Sequence, residues 1–285
     1  MTDDTTTATP AAPEPRPGRL AGKCAVVVGA GQTKGETLGF GRATAVLFAR
    51  EGADVLLVDR DPDSVAETAD MVTAEGGRAS VHVMDITKEP DCATLPDAIA
   101  RTLGHVDVLY NGVGIVGPGS AADITEAFWD HVMDTNLKGM WLTCKHVLPL
   151  MVARQRGSIV NVSSVGALRG VQAAYCASKA GVNSLTISMA AGYAGDNIRV
   201  NAIMPGSIDT PMAVDTYVAS QGVTRAAFVE ARSRRVPLAY KGSAWDIAYA
   251  ALFFASDESA FTSGAILPVD GAATTMIVPA AAPQG

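Results

Sequence analysis

The 285-residue chain is poor in aromatic residues and in positive charge. Phe, Trp and Tyr make up only 6% of it, whereas its 28 glycines permit close helix–sheet packing, which favours an α/β fold. Lys and Arg number 22 against 29 Asp and Glu, so the net charge is −7. A nucleic-acid partner is disfavoured, because binding phosphates needs clustered basic residues. The longest basic cluster, at Arg232, Arg234 and Arg235, is interpreted as a solvated helix face.

Cysteine is scarce, and its placement predicts neither a disulfide framework nor a metal site. None of the four cysteines forms a C-x-x-C pair, and none stands at zinc-ligand spacing with one of the four His residues. Cys24 and Cys144 lie in apolar segments and are interpreted as buried small hydrophobes. The missing disulfide framework is typical of a reducing cytosol, so we expect a cytoplasmic protein without a metal.

Long apolar runs are also missing, so no membrane-spanning segment is predicted. Residues 1–18, "MTDDTTTATPAAPEPRPG", have neither the basic nor the apolar region of a secretory signal. We expect residues 1–18 and 276–285 to be disordered tails. Between them, residues 19–275 are predicted to form one domain.

Within that domain, apolar β-branched runs alternate with segments of helical spacing. "CAVVVGA" and "ADVLLVDRD" are typical of parallel strands covered on both faces, and "GRATAVLFAREG" between them is typical of a helix. This alternation continues to "GAILPVDG" and predicts a doubly wound parallel sheet with helices on both faces. A long helix is expected from about Glu126 to Gln155, and a lid of irregular and helical sequence at about 207–240. Ligands of such sheets lie beyond the carboxyl ends of the strands.

A glycine-rich loop, "GAGQTKGETLGFG", follows the first predicted strand. The dinucleotide fingerprint G-x-G-x-x-G would need glycine at Lys34, but G-x-x-x-G-x-G fits residues 35–41. Such glycines let backbone N–H groups approach a pyrophosphate at a helix N-terminus. The next strand ends in Asp59, whose carboxylate can accept hydrogen bonds from a ribose diol and would repel a 2′-phosphate. NAD is therefore expected over NADP, a preference that Arg60 weakens.

With these features, residues 20–272 resemble the short-chain dehydrogenase/reductase family, in its ordinary single-domain branch. That family has a Rossmann fold with G-x-x-x-G-x-G directly after the first strand. Gly29 matches the strand end, and Gly39, Phe40 and Gly41 match the helix entry. About six residues within "GQTKGETL" are therefore extra relative to the family.

The role of this insertion has two interpretations. It could fold over the adenosine–pyrophosphate side of the cofactor, with Thr33 or Lys34 near phosphate, or it could be a neutral surface excursion. The resemblance further implies that Asp85 and Ile86 contact adenine. Asn111, in "YNGVG", matches the family's cofactor-side "NNAG".

The segment "YCASK" places Tyr175 and Lys179 four residues apart, on one face of a predicted helix. A nearby ammonium favours the phenolate, so we expect a Tyr175 pKa lowered towards neutrality, suited to proton exchange with an alcohol or carbonyl. By resemblance, Ser164 binds the substrate oxygen, with Ser163 as the neighbouring alternative. Asn136, in "TNLKG", would hold a water for a proton relay from Lys179, which itself would hold the nicotinamide ribose together with Tyr175.

After a later strand, "MPGSIDTPM" resembles the family's P-G-x-[IV]-x-T. Pro205, Gly206, Ile208 and Thr210 would then lie near the nicotinamide carboxamide. A turn with Thr210 as an N-cap is a compatible interpretation.

The mostly apolar residues predicted around the pocket favour a secondary alcohol or ketone on a medium-sized hydrophobic body. The alternatives are a 3-oxoacyl carrier-protein-type reductase and a non-catalytic NAD-binding sensor. The resemblance also implies a homotetramer or homodimer built on the helices beginning near Asn136 and Ala174. The pocket prediction rests on Val116, Val165, Leu168, Gln172, Met212, Val214, Tyr217 and Val218.

Overall fold

The fold is given by a computed structural model that describes residues 18–117, 119–170, 172–215, 217–218, 222–238 and 241–275. The predicted tails lie outside these residues, apart from Gly18. The strands are β1 Cys24–Val28, β2 Asp54–Asp59, β3 Arg78–Val83, β4 Val108–Asn111, β5 Gly157–Val162, β6 Ile198–Pro205 and β7 Ile266–Val269.

All seven strands are parallel and form one sheet in the order β3-β2-β1-β4-β5-β6-β7. The predicted doubly wound sheet is therefore confirmed. Strand order reverses between β1 and β4, where the chain leaves the first half of the sheet and starts the second. Open sheets of this kind bind ligands at this point, beyond the carboxyl ends of the strands.

Helices cover both faces of the sheet. They are α1 Phe40–Arg50, α2 Pro62–Ala74, α3 Glu89–Cys92, α4 Leu95–Thr102, α5 Glu126–Met133, α6 Gly139–Arg154, α7 Ala173–Tyr193, α8 Arg225–Ser233 and α9 Ala244–Ala255. One hydrophobic core lies between the sheet and α1, α2 and α9, and a second lies under α4, α6 and α7. The central strand β1 is buried along its whole length because side chains of both cores cover it.

The predicted long helix from Glu126 to Gln155 is present as α5 and α6, joined by a π-helical turn at Asp134–Lys138. In the predicted lid, the structure describes α8, while residues 216, 219–221 and 239–240 lie outside the described residues. Within the described ranges, no helix has the length and apolar character needed to cross a membrane.

Candidate active site

A cleft of about 380 Å³ opens where the strand order reverses, at the carboxyl ends of β1, β2 and β4. Its volume falls within the range of roughly 300–1,000 Å³ that is usual for small-molecule sites. Nine of the predicted cofactor residues line it: Gly29, Gly39, Phe40, Gly41, Asp59, Arg60, Asp85, Ile86 and Thr210.

Two glycines let the backbone approach closely at the floor of the cleft. Gly29 has a φ of +83°, and a Cβ there would lie 2.9 Å from the nitrogen of Val113. A Cβ on Gly41 would lie only 1.8 Å from the carbonyl oxygen of Gly29. Helix α1 therefore begins against the end of β1 with no room for a side chain, and its N-terminus faces the cleft.

Residues 31–38 of the glycine loop, which contain the predicted insertion, form a folded segment between β1 and α1. The Gln32 side chain donates to the Thr37 carbonyl at 3.3 Å and accepts from the Gly39 N–H at 2.8 Å. The backbone N–H of Gln32 donates to the Ser64 hydroxyl at 2.8 Å, which ties the segment to α2. Thr33 lines the cleft, whereas Lys34 is exposed and not among the lining residues.

Asp59 stands at the rim of the cleft, at the end of β2. Its carboxylate accepts hydrogen bonds from the N–H of Gly31 at 2.9 Å and from that of Asp61 at 3.1 Å. Asp59 therefore helps to shape the glycine loop while its carboxylate remains at the cleft surface. Arg60 and Asp61 line the cleft beside it.

The four predicted catalytic residues converge around the start of α7. Ser164 follows β5, accepts a hydrogen bond from the Gly166 N–H at 3.0 Å, and is hydrogen bonded to the Tyr175 hydroxyl. The neighbouring Ser163 instead donates to the backbone carbonyl of Lys179 at 3.0 Å. Of the two serines, the structure therefore brings Ser164 to the tyrosine.

Lys179 is 3% exposed and donates from Nζ to the Val162 carbonyl at 2.8 Å. Burial lowers its pKa from 10.5 to about 8. Gly114 separates it from the cleft: a Cβ there would lie 3.3 Å from Nζ of Lys179 and 3.6 Å from Oδ1 of Asn136. A Cβ at this position would crowd the ammonium, so the glycine keeps the passage between the lysine and the cleft free of side-chain atoms.

Asn136 lies in the π-helical turn and is fully buried. Its Oδ1 accepts from the N–H of Ile115 at 2.7 Å, and its Nδ2 donates to the Ile115 carbonyl at 2.9 Å and to the Ser178 hydroxyl at 3.1 Å. The extra residue of a π turn often marks a functional site. Here it aims an amide at both the loop after β4 and helix α7.

The expected lowering of the Tyr175 pKa is wrong for this structure. Burial raises the pKa above the ordinary 10.0, and it outweighs the opposing hydrogen bond from Ser164 and the distant charge of Arg232. The ammonium of Lys179 lies 6.0 Å from the centre of the tyrosine ring and is directed at a backbone carbonyl. The spacing of four residues placed both groups on one face but did not reveal how strongly the half-buried phenol is desolvated.

Several predicted cofactor residues do not line the cleft. The side chain of Asn111 is committed to a buried network, where Nδ2 donates to Asn161 at 3.0 Å and Oδ1 accepts from Thr143 at 2.7 Å. Ile208 is 5% exposed and packs into the core. Tyr175, Lys179, Pro205 and Gly206 also lie outside the lining.

Arg232 is missed by the interpretation of its cluster as a solvated helix face. Arg234 and Arg235 are exposed, but Arg232 is half-buried, with its guanidinium 5.7 Å from the ring centre of Phe228. Helical periodicity contains a signal for this, because Phe228 and Arg232 are four residues apart on α8.

A Cys/His/Asp cluster, also absent from the sequence-based predictions, lies at the amino ends of the strands. This edge of the sheet is opposite the edge at which the cleft opens. Nδ1 of His105 faces the Cys24 sulfur at 3.9 Å, and Nε2 faces Asp107 at 3.0 Å. Because one ring nitrogen faces each neighbour, the imidazole acts as a bridge between them. Arg154 approaches the same carboxylate to 3.4 Å.

Comparison with known proteins gives consistent matches over most of the chain. A family model described as enoyl-(acyl carrier protein) reductase matches residues 35–274. A 3-oxoacyl-[acyl-carrier-protein] reductase of Thermotoga maritima is 36% identical over 255 residues, which cover 89% of this chain and 98% of the relative. A 2-(S)-hydroxypropyl-CoM dehydrogenase of Xanthobacter autotrophicus is 37% identical over 243 residues, with coverage of 84% and 93%.

A solved structure is similar over the same region. Carveol dehydrogenase from Mycobacterium avium, in complex with NAD, has a TM-score of 0.83 and 31% identity, and the match covers 91% of this chain and 100% of that one.

Proposed function

We propose that this chain, which belongs to the short-chain dehydrogenase/reductase family, is an NAD-dependent oxidoreductase that interconverts a secondary alcohol and a ketone. The single observation that carries this is the convergence of Asn136, Ser164, Tyr175 and Lys179 beside a glycine-floored cleft. A proton-transferring group and a dinucleotide-sized cleft then serve one reaction.

The residues of the cleft fit a dinucleotide. Gly29 and Gly41 let the backbone pack closely where β1 ends and α1 begins, and the N-terminus of α1 there favours a pyrophosphate. Asp85 and Ile86 line the other end, where adenine would lie. A bound nicotinamide supplies hydride exchange with the carbinol carbon.

The protein side of the reaction is proton transfer and positioning. Tyr175 exchanges a proton with the substrate oxygen, and Ser164 donates a hydrogen bond to that oxygen. Lys179 holds the ribose through the passage at Gly114, and Asn136 fixes the backbone at Ile115 that forms its edge. Thr210, at the rim, holds the carboxamide.

NAD is proposed over NADP because the Asp59 carboxylate stands at the rim where the adenosine ribose would lie. Its charge would repel a 2′-phosphate. Arg60, in the same lining, is the group that would oppose this preference.

The substrate is proposed to be a medium-sized hydrophobic body that carries the alcohol or ketone. Val116 and Met212 line the cleft with apolar surface. Leu168, just beyond Ser164, is 64% exposed and available to contact a substrate. The other predicted wall residues are not among those that line the cleft, and Val214 is fully buried in the protein.

The test is a spectrophotometric assay of the purified protein with NAD⁺ or NADP⁺ and a panel of secondary alcohols, with Tyr175→Phe as the control. Production of NADH that depends on Tyr175 is the expected result. A clear preference for NADP⁺ would overturn the role given to Asp59. Turnover of acyl carrier-protein thioesters alone would favour the reductase alternative, and NAD binding without any turnover would favour the sensor.

We also propose a cytoplasmic homotetramer or homodimer. All four cysteines are free, as expected in a reducing compartment. Trp141 on α6 and Ile187 on α7 are 44% and 53% exposed, and they offer apolar surface for pairing across these helices. Light scattering after size-exclusion chromatography would give the number of subunits.

A further inference from the structure

The inserted part of the glycine loop, Gly31–Leu38, contacts the lid. At its tip, Gly35 lies so close to the lid that a Cβ there would be 2.1 Å from Oδ2 of Asp215 and 2.7 Å from Cβ of Pro211. The neighbouring Glu36 and Thr37 face Arg225, the first residue of α8. An insertion that was a neutral surface excursion would not need a glycine at such a contact.

Arg225 joins these parts by hydrogen bonds and ion pairs. Its Nε donates to Oδ1 of Asp215 at 2.9 Å, and its Nη2 donates to Oδ1 of Asp209 at 2.5 Å. Nη2 also lies 3.5 Å from the Thr37 hydroxyl, and Nε lies 3.6 Å from the Glu36 carboxylate. We call Arg225 with these four partners the Arg225 latch.

The latch is shielded on the lid side and open on the loop side. The side chains of Arg225, Asp209 and Asp215 are 21%, 24% and 19% exposed, whereas that of Glu36 is 76% exposed. Ion pairs at such half-shielded positions are weakened but not removed by salt. The lid side should therefore hold firmly and the loop side should open more easily.

Both sides of the latch belong to segments that line the cleft. Thr33, from the insertion, is one of the lining residues. Thr210, Pro211 and Met212, which stand between Asp209 and Asp215, are others. Closing the latch therefore joins the insertion and the lid into one outer wall of the cleft.

We propose that the Arg225 latch holds the inserted loop and the lid together across the cleft mouth, so that a dinucleotide cannot leave until the latch opens. Arg225 is then a positioning residue, which acts through the loop and the lid. The inference rests on the proposed function, because it takes the cleft to hold a dinucleotide. It assigns the insertion to retention of the cofactor.

The test measures the dissociation rate of NADH by stopped-flow displacement, followed by the fluorescence of the bound NADH. Arg225→Gln removes the guanidinium that holds the latch together and so changes the lid. Gly35→Ala changes the loop, whose new Cβ would displace Asp215. Arg234→Gln is the matched control, since Arg234 lies at the end of the same helix and is 78% exposed, with one ion pair to Glu230. Thermal unfolding of each variant verifies that it is folded.

Both latch variants are expected to release NADH about tenfold faster than the wild type, because loss of a shielded charge pair acts mainly on the dissociation rate. The control should stay within twofold. The double variant should be no faster than the faster single variant, since both substitutions open one contact. Raising the salt concentration should speed release from the wild type more than from Arg225→Gln.

The latch is overturned if folded Arg225→Gln and Gly35→Ala release NADH at the wild-type rate. It is also overturned if Arg234→Gln speeds release as much as they do. If the wild type binds neither NADH nor NADPH, the proposed function itself fails, and the latch fails with it. These two failures are distinguishable because the first shows binding and the second does not.

Discussion

The two walls of the cleft are built in different ways. The inner wall, around Asn136, Ser164 and Lys179, is buried and joined by hydrogen bonds to the backbone of β5 and the loop after β4. The outer wall, formed by the insertion and the lid, is joined by ion pairs among half-exposed side chains. Proton transfer requires fixed distances, whereas entry and exit require a surface that opens at low cost. The molecule separates these two demands in space.

The largest effect is expected for Gly41→Ala, a substitution at the floor of the cleft, between its two walls. The new Cβ would meet the Gly29 carbonyl at 1.8 Å, and a backbone atom cannot yield as a side chain can. We expect a loss of about 3 kcal/mol in stability, from overpacking, and loss of measurable NADH binding. Unfolding in urea and fluorescence titration are the measurements.

Gly192→Ala is the control for this substitution. Gly192 lies in α7, and a Cβ there would meet nothing within 4 Å. Alanine is expected to stabilise the helix by roughly 0.5–1 kcal/mol. Equal effects of the two substitutions would contradict the close approach at Gly41.

The second prediction addresses the inner wall through Lys179→Met. Turnover should fall by about 10²-fold, because the nicotinamide ribose loses the group that positions it. At pH 7, however, the variant should be more stable by about 1–3 kcal/mol, because a lysine whose pKa is lowered from 10.5 to about 8 is charged at a cost.

The pH dependence of the free energy of unfolding tests the direction of this stability change. Between pH 8 and 10.5 the unfolded chain still binds a proton that the folded wild type has lost, so wild-type stability rises with pH across this window. The stability difference between variant and wild type should therefore shrink from pH 7 to pH 10. A variant less stable than the wild type at pH 7 would show that the bond to Val162 outweighs the cost of burial.

The third prediction examines the rim of the outer wall, where Asp59 accepts from the N–H of Gly31. Asp59→Ala should weaken NAD binding about tenfold, the order expected for lost hydrogen bonds to a charged group, and should strengthen NADP binding. Asp59→Asn separates the two roles, since it keeps an acceptor for Gly31 while removing the charge. Isothermal titration with both cofactors is the measurement. An unchanged ratio of NAD to NADP affinity in both variants would remove Asp59 from cofactor selection.

The smallest effect is expected for Arg232→Gln, because Arg232, in the lid, acts on Tyr175 only through its charge. Burial is the main cause of the raised pKa of Tyr175, and Cys176 and Tyr217 raise it further, whereas Ser164 and the charge of Arg232 lower it. Without that charge the Tyr175 pKa rises further, so less phenolate is present at a given pH. The increase of the alcohol oxidation rate with pH should therefore shift to higher pH. At neutral pH the rate should change by about twofold or less, because Arg232 is distant from the phenol and salt screens its charge. Arg234→Gln should leave the pH–rate profile unchanged, and an identical profile for Arg232→Gln would contradict the coupling.

The sequence predicted the sheet well because its strands are covered on both faces. A run such as "CAVVV" in β1 has no other common use than a buried strand. Local spacing also predicted that Tyr175 and Lys179 share one face of a helix, and both lie in α7. The bounds of elements were less accurate, since the helix expected in one piece from Glu126 to Gln155 is divided by a π-helical turn at Asp134–Lys138.

The features that escaped sequence-based prediction depend on contacts between distant residues. Thr37 and Arg225 are 188 positions apart, and no periodicity relates them. The amide of Asn111 matches a cofactor motif, yet its partners Asn161 and Thr143 turn it into the core. The direction of the Tyr175 pKa depends on burial by surrounding segments, which the spacing to Lys179 does not contain.

The hydrogen bond between Gln32 and Gly39 has a consequence for how well the loop tolerates a change in its length. The bond closes the segment on itself at 2.8 Å, so its two ends leave and re-enter the fold at nearly the same place. A segment with adjoining ends can be gained or lost without moving the strand before it or the helix after it. A variant shortened between Gln32 and Gly39 should therefore keep the same sheet.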